Sequence, residues 1–290
     1  MDTLNGSDSY FPDSAFPVDR WCQRNVSANP TTVARLASRV CAGQVGMLID
    51  PLAGFGASAV AARLLGCDFF GIEIDQFAAA VTLAKGAAND SVIREAAAAV
   101  RELDHRDSVN PESLPKMVWA TAAVASEFAS SAGLSLDEAI SLMQRDVAEL
   151  PAKNTTVVCG DARVFSSWEA LIWNAPGVAF ISPPFTDDSN AAATSDAQQL
   201  AIRAFPYPGV ASQNRGLLAG VFEQLAENAP GVHVILEHES HAAHDPVRIR
   251  EELAMTSATL TISEVVATRN FSGRGTHCYV IGRAGRPTRA

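Results

Sequence analysis

The hydrophobic pattern divides the first ninety residues into alternating short apolar runs and helical stretches. GMLID (46–50) is a short apolar strand that ends at an acid and passes into the glycine-containing turn PLAGFGAS. AVAARLL (59–65) follows as a small-residue helix, and Gly66 stops it. CDFFGIEID (67–75) is a second buried strand with acids at its C-terminal end, and FAAAVTLAKGA (77–87) is another helix. Ahead of these, residues 31–42 place Val33, Leu36 and Val40 on one side of a short amphipathic helix. Strand, glycine turn, helix, strand, acid, helix is the opening of an α/β fold with a doubly wound, mostly parallel sheet of the Rossmann-like kind.

The alternation then pauses. Residues 94–104, 116–129 and 136–150 are helical in pattern, with Pro111 and Pro115 breaking the first from the second. Gly133 ends the second and Ser135 is placed to cap the third. The region from about 87 to 150 is therefore expected to be a helical insertion within one domain spanning 31–290, preceded by an arm at 1–30. The sheet resumes at 155–162 and 177–184, and the polar stretch 186–213, with Pro206 and Pro208, is expected to be a long loop. A helix at 216–229, a strand at 231–240 and a helix around 246–255 follow. Two last strands, 260–268 and 277–283, lie close enough in sequence to pair antiparallel.

Composition narrows the function classes. No apolar run reaches the roughly 18 residues of a membrane span. The first twenty residues carry four aspartates and no apolar core of a secretion signal. Five scattered cysteines, Cys22, Cys41, Cys67, Cys159 and Cys278, form no CxxC pair, so neither a disulfide framework nor a zinc cluster is expected, and a cytoplasmic setting fits. The net charge of −10 opposes indiscriminate binding to polyanions. Charge is uneven, however: residues 265–290 hold five arginines and no acid, whereas 87–150 hold eleven acids against five bases. A polyanion would approach the first region; in the acidic insertion Trp119 and Phe128 are expected to be core or partner-facing, and a protein contact or self-association is expected there ahead of nucleic acid.

Two segments carry chemistry. In Asp50-Pro51-Leu52-Ala53-Gly54-Phe55-Gly56, the glycines sit where the chain turns sharply and lets a ligand approach, with a helix N-terminus behind them. Glu73 closes the second strand, where doubly wound folds place an acid on ribose hydroxyls; a solvated strand-end acid is the plainer reading. Ser182-Pro183-Pro184-Phe185 follows a later strand. Paired prolines hold the backbone open. Ser182 Oγ and the Pro183 carbonyl are then acceptors for an incoming amine, and Phe185 offers a flat face for a base.

Together these segments resemble motifs I, II and IV of the S-adenosylmethionine-dependent amino-methyltransferases that modify cytosine N4 or adenine N6 in DNA, whose usual forms are DPFxGSGT, GIEID and [SDN]PP[YFW]. The likeness covers roughly residues 30–85 and 155–185, including the GDA segment around Asp161. It implies a class I methyltransferase fold. Asp50, Pro51, Ala53, Gly54 and Gly56 would line the methionine part of the cofactor S-adenosylmethionine. Glu73 would hold the ribose, and Asp161 would lie near the adenine amine. Ser182, Pro183, Pro184 and Phe185 would receive the target base. Phe55 stands where a small serine is usual and would narrow the cofactor site, and Leu52 replaces a common phenylalanine. Serine at the head of the last motif leans toward cytosine N4.

Other features read both ways. His238, His241 and His244 have metal-like spacing but start at a strand end, and methyl transfer needs no metal; Glu237 and Glu239 there are better placed to border a substrate cleft. Arg269, Phe271 and Arg274 lie between the last two strands and suit either a phosphate- and base-gripping loop or a plain solvated turn. Tyr10, Phe11, Phe16 and Trp21 are candidates to cover the cofactor. The expected partner is nucleic acid, DNA ahead of RNA, with an RNA base methyltransferase and a non-catalytic subunit of the same fold as rival readings.

Overall fold

The computed structural model describes residues 17–22, 28–103, 114–173, 176–182, 195–205, 217–240, 260–267 and 276–284. Among these residues seven strands form a single sheet: β1 (Met47–Asp50), β2 (Asp68–Glu73), β3 (Thr155–Cys159), β4 (Gly177–Ile181), β5 (His233–Ser240), β6 (Leu260–Ala267) and β7 (Thr276–Ala284). Their spatial order is β3-β2-β1-β4-β5-β7-β6. The first five are parallel, and β7 runs antiparallel to both β5 and β6. This is the doubly wound, mostly parallel α/β sheet that the sequence predicts, with the expected antiparallel pair at its end.

The central strands are apolar because both faces of the sheet are covered. In β1, Leu48 packs on one face while Met47 and Ile49 pack on the other; in β4, Val178 and Phe180 divide from Ala179 and Ile181 in the same way. The first face meets α1 (Pro30–Val40), α2 (Ala57–Leu65) and α3 (Gln76–Ala87), and α4 (Asp90–Leu103), α5 (Lys116–Ala132), α6 (Leu136–Glu149) and α7 (Ser195–Ala204) extend the same hydrophobic cluster by packing on these helices and on one another. The second meets α8 (Leu217–Asn228) and the Trp168 ring. Local signals set the helix ends. Asn29 caps α1 through its side-chain oxygen, and Ser135 and Glu138 form a reciprocal capping box on α6. No helix among the described residues is long and apolar enough to cross a membrane.

The inserted helices are core, not appendage. Trp119 and Phe128 on α5 are buried, so of the two expectations for these aromatics, core or partner-facing, they take the core. A buried arginine joins the insertion to the sheet layer: Arg63 donates to the carbonyls of Gly86, Ala88 and Leu150, which lie at or just beyond the C-terminal ends of α3 and α6. Burial pulls its guanidinium down to about 10.

Two expectations need correction. The stretch expected as an unbroken loop at 186–213 contains α7, whose Ala197, Leu200, Ala201 and Ala204 are buried at helical spacing. Alanine supplies little hydrophobic contrast, which hides the period. Trp21 does not cover a cleft. It is fully buried, and its indole N–H donates to Asp146 on α6 at 2.8 Å. Asp146 also accepts from the Val18 N–H at 3.3 Å and pairs with Arg20. Tyr10, Phe11 and Phe16, and the helix expected around 246–255, lie outside the described residues.

Candidate functional site

The strand order reverses between β1 and β4, so the two neighbouring crossovers leave in opposite directions and open a crevice at their C-terminal ends. Both sequence segments arrive there. Ile49 pairs with Ala179, which puts Asp50, the last residue of β1, and Ser182, just past β4, at the same edge of the sheet. Ile181 pairs with Leu236, which brings Glu237 beside Ser182.

The turn after β1 is built by its glycines. Gly54 and Gly56 both have left-handed backbones, with φ of 50° and 79°. An added Cβ at Gly56 would lie 2.9 Å from Thr82 Cα, so a side chain there collides with the backbone of α3. At Gly54 it would meet nothing among the described residues closer than the Leu52 carbonyl at 4.0 Å. The Ala53 N–H donates to Ile72 O (3.0 Å) and the Thr82 hydroxyl to Gly54 O (2.8 Å), which fixes the turn against β2 and α3. Pro51 and Ala53 are buried beneath it. The first turn of α2 begins at Gly56 without a side-chain cap. Phe55, expected to narrow the site, packs edge-on against Phe77 on α3, with ring centroids 6.3 Å apart.

Three carboxylates converge on this crevice. Asp50 is buried; it accepts the Leu52 N–H at 3.0 Å and the Ser58 hydroxyl. Burial lifts its carboxyl to about 7 against these two bonds, and the charges of Glu73 and Glu237 push in the same direction. Glu73 takes backbone N–H groups from Gly54 (2.7 Å), Ile74 (2.8 Å) and Asp75 (2.9 Å), and burial raises its carboxyl above the usual range despite them. A carboxylate has about four lone-pair sites. Three are already engaged, so Glu73 closes the glycine turn and retains acceptor capacity for one further donor. Glu237 is buried and accepts the Ser182 hydroxyl at 2.7 Å.

Asp161, beyond the end of β3, is clasped by Arg163, which donates through its backbone N–H (2.9 Å) and its guanidinium (2.6 Å). It sits at the same edge of the sheet but already has an ion partner. Pro183, Pro184, Phe185, Arg269, Phe271 and Arg274 lie outside the described residues, as do His241, His244 and the side chains of His238 and Glu239. Sequence reading assigned no role to Ser58, which bonds Asp50 within the same segment, or to Thr82, whose partner Gly54 lies 28 residues away. It marked Glu237 as a strand-end acid without its link to Ser182.

No family model matches the chain, and no curated protein matches it. Solved structures with a similar arrangement include the glycopeptide N-methyltransferase MtfA complexed with sinefungin, at 13% identity and a TM-score of 0.41, covering 90% of this chain and 89% of that one. Magnesium protoporphyrin IX methyltransferase (ChlM) from Synechocystis PCC 6803 with bound SAM is 11% identical, with a TM-score of 0.37 over 88% of this chain and 79% of that one. The Pyrococcus abyssi tRNA (uracil-54, C5)-methyltransferase in complex with S-adenosyl-L-homocysteine is 10% identical, with a TM-score of 0.36 over 87% of this chain and 38% of that one. Likeness at this level is distant, and the fold rests on the strand order and register.

Proposed function

We propose that this chain is an S-adenosylmethionine-dependent methyltransferase acting on the exocyclic amine of a nucleic-acid base, with DNA ahead of RNA and cytosine N4 ahead of adenine N6. The observation that supports the reading is that the glycine turn after β1 and Ser182 after β4 lie at the same edge of adjacent strands, with Glu237 hydrogen-bonded to Ser182. The residues fit the cofactor in kind. Clustered carboxylates from Asp50, Glu73 and Glu237 favour a ligand carrying a sulfonium and an ammonium, the side-chain-free backbone at Gly54 admits close approach, and Glu73 keeps room for one ribose hydroxyl. Asp161 would flank the adenine only with Arg163 attached.

When bound, S-adenosylmethionine supplies a methyl group already activated for displacement, so the protein's task is alignment. Asp50, Pro51, Ala53, Gly54 and Gly56 would fix the methionine end. Ser182 Oγ and the Pro183 carbonyl would accept the two amine hydrogens, and Phe185 would stack on the base. Those hydrogen bonds strengthen as the amine nitrogen gains positive charge, so they act on the transition state more than on the bound base. A duplex substrate would first have its base flipped out at a cost of roughly a few kcal/mol. Arg269, Phe271 and Arg274 are the proposed contacts to the nucleic acid, and exposed acids of the insertion the proposed protein-facing surface.

Transfer of labelled methyl from S-adenosylmethionine to DNA and to RNA, each with the native chain, Ser182→Ala and Phe185→Ala, tests this. Label in DNA that both substitutions abolish is expected. Label in RNA alone moves the substrate to RNA, and label in neither, together with no heat of cofactor binding, identifies a non-catalytic subunit.

A further inference from the structure

The Ser182–Glu237 contact fixes a direction that the motif alone leaves open. A serine hydroxyl has one hydrogen to donate and two lone pairs to offer, and an ionised carboxylate only accepts. Glu237 is buried, and as a carboxylate its Oε2 takes the hydroxyl hydrogen at 2.7 Å, which leaves the serine oxygen to act as an acceptor toward the crevice. Register supports the pairing independently: Ser182 and Glu237 each follow a paired residue, Ile181 and Leu236, on neighbouring strands, so the backbone itself holds the two side chains side by side.

From this geometry we infer that Glu237 is a positioning residue and the proton sink of the methyl-transfer reaction. The inference rests on the proposed function and deepens it. Glu237 makes Ser182 an acceptor toward whatever enters, so the site selects a base presenting an amine over one presenting a carbonyl at the same place. After the amine nitrogen has gained its methyl group it holds one proton too many. That proton passes to Ser182 Oγ while the serine's own proton passes to Glu237 Oε2. The products are a neutral methylated amine, an intact serine hydroxyl and a protonated Glu237, which later releases its proton to water. Atoms and charge balance without any further reactant. Serine alone is too weak a base to keep the proton; a carboxylate is not, since a methylated base amine in its protonated form is a far stronger acid than a carboxylic acid.

The test is a double-mutant cycle of Glu237→Gln and Ser182→Ala with two readouts. In the unloaded protein, the infrared carboxylate band that disappears in Glu237→Gln should shift in Ser182→Ala, because the hydrogen bond to it is lost. In single-turnover methyl transfer, Glu237→Gln should slow the chemical step about 100-fold, in the range usual for a positioned proton acceptor. Base KM and the calorimetric affinity for S-adenosylmethionine should stay within about threefold, and Glu237→Asp should restore part of the rate. The two losses should not multiply, since both remove one relay. A Glu237→Gln enzyme with native turnover, or one whose loss multiplies with that of Ser182→Ala, overturns the inference while leaving the methyltransferase reading standing. Methyl transfer by no form of the protein, native included, overturns that reading and this inference with it.

Discussion

Asp50→Asn should strengthen the fold while weakening the site. Asparagine keeps the shape: its carbonyl can still accept the Leu52 N–H, and the Ser58 hydroxyl can turn to accept from the new amide. What disappears is a buried charge. In the unfolded chain an aspartate ionises near 3.9, whereas here burial raises Asp50 to about 7. Between those values the folded chain holds a proton that the unfolded chain has released, so stability falls as pH rises from about 4 to about 7 and is level beyond. The gap corresponds to roughly 4 kcal/mol, from about 1.4 kcal/mol for each pH unit. At about 2 °C per kcal/mol for a chain of this length, the melting difference between variant and native protein should grow from near zero at pH 4 to about 8 °C at pH 8. Scanning calorimetry across that range, read as the difference between the two proteins, cancels every group that does not feel the Asp50 charge and leaves Asp50 with its coupling to Glu73 and Glu237. A difference curve flat with pH, or a variant less stable than the native protein at pH 8, would refute the reasoning. On the proposed function the same variant binds S-adenosylmethionine more weakly, tenfold or more.

Three other perturbations follow from particular contacts. A cation entering beside Asp50 should draw off its proton, so calorimetric binding of S-adenosylmethionine near pH 6.5, repeated in buffers of different ionisation enthalpy, should show net proton release that vanishes in Asp50→Asn. Gly56→Ala places a methyl 2.9 Å from Thr82 Cα on a left-handed backbone; about 1 kcal/mol is lost to the conformation alone, and a variant that melts and binds cofactor like the native protein would contradict the turn geometry. Arg63→Met leaves the carbonyls of Gly86, Ala88 and Leu150 without their donor and should cost roughly 3 kcal/mol in urea unfolding, with a loss under 1 kcal/mol counting against the buried staple.

Legibility tracked how local the cause was. The strands and most helices could be read because each carries its own period and its own cap: Gly66 and Gly133 end helices with left-handed backbones, and Ser135 begins one. The crevice was legible because its parts occur at strand ends in a doubly wound order. The α7 helix was not, because its buried face is mostly alanine and prolines follow it closely. Side-chain destinations were hidden for a different reason. Nothing near Asp146 in sequence announces Trp21, and nothing near Phe55 announces that its ring rests on Phe77. The partner of Ser182 lies 55 residues away and becomes visible only through strand register.

The contacts of the amino-terminal segment bear on how the protein is made. Lys85, almost wholly enclosed, binds Asp19 at 2.8 Å and the Cys22 carbonyl at 2.9 Å, and Trp21 waits for an aspartate 125 positions downstream. On the ribosome, at about 5–20 residues per second, that interval lasts on the order of ten seconds. Through it the indole lacks its native acceptor, so this segment settles only after α6 has been made.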